Sequence, residues 1–132
     1  MVFNMVVISR IRLQRKGLET LLSPLEADVL KILWTEKKVR VRDVYGRLKG
    51  KRKVALTSVA VILDRLHKKK FVTRSIEVGR GGYHYIYLPK ITRGDFENSV
   101  VAKTVDRLVE NFGDVAVNYF YERFARKKAK AG

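Results

Sequence analysis

Apolar residues recur along this chain at two different spacings, and the switch between them divides it. Leu25, Val29, Ile32 and Leu33 follow one another at helical spacing, with Leu30 and Trp34 widening the stripe. Ser23-Pro24-Leu25-Glu26 in front of them reads as a helix start. Ser23 is placed to cap, proline suits the first helical position, and Glu26 sits where a capping box needs an acceptor. The spacing predicts a first helix ending near Glu36. Val41, Val44, Tyr45 and Leu48 predict a short second helix from Val41 to Lys49, broken by Gly50 and the Lys51-Arg52-Lys53 run. Val59, Ile62, Leu63 and Leu66 predict a third from Thr57 to about Lys69.

After Lys69 the period falls to two. Phe71 to Val78 reads as a strand, Gly79-Arg80-Gly81-Gly82 as a turn, and Tyr83 to Leu88 as the returning strand, ended by Pro89. Helical spacing then resumes in Phe96, Val100, Val101, Val105, Leu108 and Phe112, starting behind a capping Thr92. Beyond Gly113 and Asp114 it continues in Val117, Phe120 and Phe124. Three helices and a hairpin make the winged form of the helix-turn-helix. The expected fold is mainly α with one small β-hairpin. A winged-helix domain over residues 18–92 follows an extension at 1–17, and a helical region with a basic tail fills 93–132. Two amphipathic helices on so small a domain have little body of their own to cover, so the stripe from Phe96 to Phe124 is expected to pair two subunits as a homodimer. The other reading is packing onto their own domain.

Charge sharpens this picture. The formal net charge is +16, and it is not spread evenly. Residues 1–36 carry 5 basic and 4 acidic side chains, residues 37–93 carry 17 and 3, and residues 94–132 carry 7 and 6. Ion-pair networks of the kind that raise thermal stability balance their signs. A one-sided block over the second and third helices and the hairpin points instead to a polyanion, with double-stranded DNA as the expected partner.

The third helix supplies candidates for that contact. With Val59, Leu63 and Leu66 inward, a 100° wheel turns Thr57, Val61, Asp64, Arg65 and Lys68 outward, with Ser58 and Ala60 on the flanks. Thr57 and Ser58 suit base edges, and Ala60 and Val61 suit thymine methyl groups. Arg65 and Lys68 follow where a helix leaves the groove, and Lys51, Arg52 and Lys53 just before it suit phosphates. Arg80, between glycines at the hairpin tip, has the reach for a neighbouring minor groove. The tyrosines Tyr83, Tyr85 and Tyr87 suit base stacking in principle, but covering the hairpin's own core is the expected role. The bland alternative for each of these residues is an ordinary solvated face.

Other chemistries find no support. The chain has no cysteine and two isolated histidines, so no disulfide, thiolate chemistry or zinc site is expected, and no cofactor. The glycine-rich turn lacks the lysine and following helix of a phosphate-binding loop, and no catalytic set is apparent. The opening apolar run is too short for a membrane span and has no signal-peptide flank, so a soluble, cytoplasmic protein is expected. Residues 1–13 read as an extra strand or helix.

The segments Leu22-Ser23-Pro24-Leu25-Glu26 through Trp34, Ala55-Leu56-Thr57-Ser58-Val59 through Lys69, and Gly82-Tyr83-His84-Tyr85 with Pro89 together resemble the penicillinase repressor (BlaI/MecI/CopY) family. That resemblance implies a homodimeric repressor on a palindromic operator, with contacts from Thr57, Ser58, Val61, Arg65 and Arg80 and a dimer made by the C-terminal helices. Copper-responsive members use tail cysteines, which are absent here. Two alternatives remain beside it: an architectural protein that coats DNA without sequence preference, and a winged module used for protein assembly.

Overall fold

The computed structural model describes residues 10–131, with side chains described through residue 126. The extra element expected of residues 1–13 lies outside the described residues up to residue 9, and residues 10–16 form neither helix nor strand. A short 3₁₀ turn, Gly17–Thr20, then seats Leu18 in the core, with Leu22 just behind it. Five helices and one hairpin follow: α1 Pro24–Glu36, α2 Val41–Leu48, α3 Leu56–Lys68, β1 Val72–Gly79, β2 Gly82–Pro89, α4 Arg93–Phe112 and α5 Asp114–Ala131. The element order and types agree with the periodicity, and each boundary of the predicted elements falls within about two residues.

The start of α1 is built as its sequence indicates. Ser23 N–H donates to Glu26 Oε1 at 3.0 Å, and Glu26 N–H donates to Ser23 Oγ at 3.2 Å. Glu26 is also buried and receives Lys69 Nζ on Oε2 at 3.3 Å, which links the first turn of α1 to the end of α3. Burial pushes the Glu26 carboxyl up, but the Ser23 N–H and Lys69 together outweigh it and hold the group below the usual carboxylate range.

Val29, Leu30 and Leu33 of α1, Val44 and Leu48 of α2, and Val59, Leu63 and Leu66 of α3 close over one core. The helix α3 ends in a Schellman turn. Lys70 takes a φ of 66°, and Phe71 N–H donates to Leu66 O at 3.0 Å, which turns the chain into β1. The strands pair antiparallel from Val72↔Pro89 to Gly79↔Gly82, and Val39 adds a bridge to Tyr87 on the other edge of β2. The turn is Arg80-Gly81, and Gly81 supplies the positive φ (85°) that lets two residues reverse the strand.

Two expectations need correction here. Phe96 belongs to the stripe expected to face a partner, but it is 1% exposed. Its ring meets Phe71 edge-on at 5.1 Å and Trp34 at 6.1 Å, so it is part of the chain's own core, and Val100 packs against the same core. Trp34 Nε1 donates to Ile91 O at 2.9 Å and fastens the same junction. The second correction concerns the hairpin tyrosines. Only Tyr87 is buried, while Tyr83 and Tyr85 are exposed, because the helical core reaches only the base of the wing.

Two consequences are measurable. Phe96→Ala should cost about 3–5 kcal/mol in chemical denaturation. Because the cavity lies within one chain, the loss should be the same in dilute and concentrated protein. A loss that vanishes on dilution would return Phe96 to a subunit interface. Glu26, its carboxyl lowered on folding, contributes stability that is present above about pH 4.5 and lost as the pH falls through its folded-state value. Glu26→Gln should therefore lower stability by about 1 kcal/mol at pH 7, with urea midpoints of variant and parent converging toward pH 3.

Candidate nucleic-acid interface

The α2–turn–α3 unit and the wing define one face of the body. Nothing caps α3: Ala55 stands at its N-cap position and has no side-chain acceptor for the first amides. Its first turn, with Leu56, Thr57 and Ser58, is exposed. Thr57, Ser58, Val61 and Arg65 line a shallow groove of about 270 Å³ along the helix. Val61 is 50% exposed, Ala60 is half-buried on the flank, and Lys68 is exposed one turn on. The wheel drawn from the sequence thus agrees with the observed face, with one exception. Asp64 is half-buried and not free: its carboxylate receives Arg74 Nη1 at 3.0 Å and Lys68 Nζ at 3.0 Å. Lys68 first, and then Arg74, keep the Asp64 carboxyl below its ordinary range.

The expected phosphate contacts divide in the same way. Arg52 Nε donates to Asp28 Oδ2 at 2.5 Å, so this guanidinium fastens the α2–α3 turn to α1. Lys68 is shared with Asp64. Among the described residues no carboxylate lies against Lys51, Lys53, Arg65 or Arg80, so four of the six expected cations have no internal acid.

Spacing alone did not single out what holds the wing. Arg74 is paired with Tyr87 across the hairpin and lies with its guanidinium carbon 4.3 Å from the centre of the Tyr85 ring. Through Asp64 it fixes the wing to α3. The cross-strand pairs Ile76↔Tyr85 and Val78↔Tyr83 continue this face outward, and all four side chains are exposed. On the opposite face Glu77 receives Lys38 Nζ at 3.0 Å and Arg40 Nη2 at 3.9 Å. Lys38, and Arg40 after it, hold the Glu77 carboxyl below its ordinary range. Arg40 stands at the N-cap of α2, and its N–H donates to Asp43 Oδ2 at 2.8 Å, so the following helix is capped from within.

Comparison with known proteins completes this picture. The family model described as "Penicillinase repressor" matches residues 22–130. The chain belongs to the penicillinase repressor family. This membership makes it a winged-helix transcriptional regulator and accounts for the helix-turn-helix, the wing and the appended helices together. A possible transcriptional regulator from Methanosarcina mazei Go1 is similar in structure, with a TM-score of 0.50 and 19% identity over 83% of this chain and 78% of that one. The DNA-binding domain of the repressor BlaI aligns with a TM-score of 0.47 and 24% identity, over 56% of this chain and 85% of that one. Bacillus licheniformis BlaI, solved as a monomer with the blaP half-operator, aligns with a TM-score of 0.46 and 26% identity over the same shares. Among curated proteins none matches by sequence. Among the described residues, no group of three or more histidine or carboxylate side chains forms a metal site, and no helix is long and apolar enough to cross a membrane.

Proposed function

We propose that this penicillinase repressor family member binds double-stranded DNA as a homodimer and represses transcription from a palindromic operator. The observation that carries the reading is the exposed face of α3. It has an uncapped first turn, two hydroxyls, two small apolar groups and an unpaired Arg65, flanked by the unpaired cations Lys51, Lys53 and Arg80. Thr57 and Ser58 bond base edges in the major groove, and Ala60 and Val61 pack on thymine methyl groups. Lys51, Lys53 and Arg65 neutralise phosphates, and Arg80 extends the contact to a neighbouring minor groove.

The homodimer reading rests on the arm. Past Val100, helices α4 and α5 leave the body with Val101 62% exposed, Phe112 61% and Phe124 64%. Val117, Phe120 and Phe124 line an open apolar groove of about 410 Å³, and the Phe120 and Phe124 rings stack at 6.3 Å. Val105 and Leu108 of α4 are half-buried. So much apolar surface on a neutral arm calls for a covering protein face, and a second copy of the same arm supplies one.

Binding to the DNA upstream of its own gene should exceed binding to random duplex by roughly 10³-fold or more. Thr57→Ala should relax discrimination at its contacted base pairs by about 1–3 kcal/mol. Lys53→Ala should weaken all duplexes alike and lower the salt slope by about one. One specific observation favours an architectural reading instead: α3 offers Thr57, Ser58 and Arg65 as its only free hydrogen-bonding side chains in the groove. A ratio near one with a steep salt slope would establish that reading and end the repressor one.

The arm is tested by sedimentation. The parent should run as a dimer at micromolar concentration, and Val101→Asp with Phe124→Asp as a monomer of unchanged helix content. A parent that sediments as a monomer would remove the palindromic operator from the proposal.

A further inference from the structure

A second cationic site lies apart from the α3 groove. The N-terminal turn of α2, the start of α3 and the tip of the wing enclose a cleft of about 510 Å³, lined by Arg40, Arg42, Leu56, Arg80, His84 and Tyr85. Three arginines and a histidine line it, and no aspartate or glutamate does. The groups converge closely. A β-carbon on Gly79 would stand 3.4 Å from Arg40 Nη2 and 3.4 Å from His84 Cδ2, so both lie against the one residue that has no side chain to separate them. His84 Nε2 is 2.8 Å from Arg80 O, where it serves as the donor because a carbonyl only accepts. Its Nδ1 is then the nitrogen left to take up a proton.

The charges facing His84 come from every side. Arg40 and Arg42 face it from α2 and Arg80 from the turn, while Glu77 lies opposite in the strand register and is itself held by Lys38. An anion seated among the arginines adds a negative charge beside the ring and favours its protonated form.

The geometry points to a seat for one phosphodiester of the DNA backbone between α2 and the wing, in which Arg40 and Arg42 hold the phosphate and His84 takes up a proton from solvent at Nδ1 as it binds. This rests on the DNA-binding reading and extends it. The wing then serves as one wall of a backbone clamp, and DNA affinity becomes linked to pH through a single residue. Imidazole is the side chain whose charge changes in the range of about pH 5 to 8. A proton taken up on binding makes the complex tighter at the acidic end, by at most about tenfold per pH unit.

The test uses the full chain and a duplex from upstream of its gene, titrated by fluorescence anisotropy at about pH 6 and pH 8 at fixed salt. The parent Kd should rise about three- to tenfold between the two. His84→Gln, whose amide still reaches the Arg80 carbonyl, should show no such rise and should match the parent at pH 8. Arg42→Ala, an exposed position whose loss should leave the fold intact, should weaken binding at both pH values and lower the salt slope by about one. Calorimetry of the parent in two buffers of different ionisation enthalpy should report net proton uptake near pH 7. An equal pH dependence in parent and His84→Gln, an unchanged salt slope in Arg42→Ala, or zero proton uptake would each overturn the seat while DNA binding stands. A parent that binds no duplex at either pH would overturn the DNA-binding reading along with it.

Discussion

The edge-on contact between Phe71 and Phe96 is the point from which both functional parts of the molecule leave the body. Phe71 is the first residue after α3 turns, so its burial sets where β1 begins and hence where the wing stands relative to α3. Phe96 lies in the first turn of α4, so its burial in the same pocket sets the direction in which the arm departs. Trp34 closes the third side and reaches across to Ile91 O, holding the connection between wing and arm against the end of α1. Two T-shaped contacts to Phe96, with Phe71 and Phe96 buried and Trp34 half-buried, define the ring angles more tightly than aliphatic packing would. A 20-residue helix rooted this way extends about 30 Å, and a few degrees at its root translate into ångströms at its far end.

Electrostatics performs the finer positioning with few groups. Between residues 37 and 93 the chain has three acids against 17 bases, and each acid fastens one element to another or caps it. Asp43 caps α2 through the Arg40 amide, Asp64 joins α3 to the wing through Arg74, and Glu77 holds Lys38 and Arg40 against the opposite wing face. None is left as a free negative charge on the face that carries the unpaired cations. The arrangement reconciles two demands: the basic block needs internal attraction to fold against its own repulsion, and its outer surface must stay positive to attract a polyanion. Spending every acid on an internal tie meets both.

This also explains what was legible in the sequence. The elements were, because their signals are local: the Ser23–Glu26 cap, the spacing of Val59, Leu63 and Leu66, and the glycines of the wing turn all act within a few residues. The outward face of α3 followed from the same period. Partners that meet across the fold were not. Arg52 read as a free cation, but Asp28, 24 residues earlier, holds it. Asp64 read as solvent-facing until Arg74 folded onto it. Phe96 has the same helical spacing as Val101 and Phe112, and periodicity does not distinguish a residue packed on its own domain from one that awaits a partner. Arg40 and Arg42 passed as members of a charge block, because only the return of the wing brings them to His84.

The molecule divides its surface between two kinds of attraction. The body carries nearly all the excess charge, and its binding to a polyanion releases counterions and weakens steeply with salt. The arm is close to neutral, and the attraction its exposed valines and aromatics offer is burial, which salt barely affects. In the proposed dimer these two terms multiply, because an arm that joins two bodies converts the second half-site contact into an intramolecular event. Moderate affinity per body is then sufficient for tight binding to a correctly spaced pair of sites. In that proposed dimer, anything that separated the two arms would remove the multiplication without touching the α3 face or the wing.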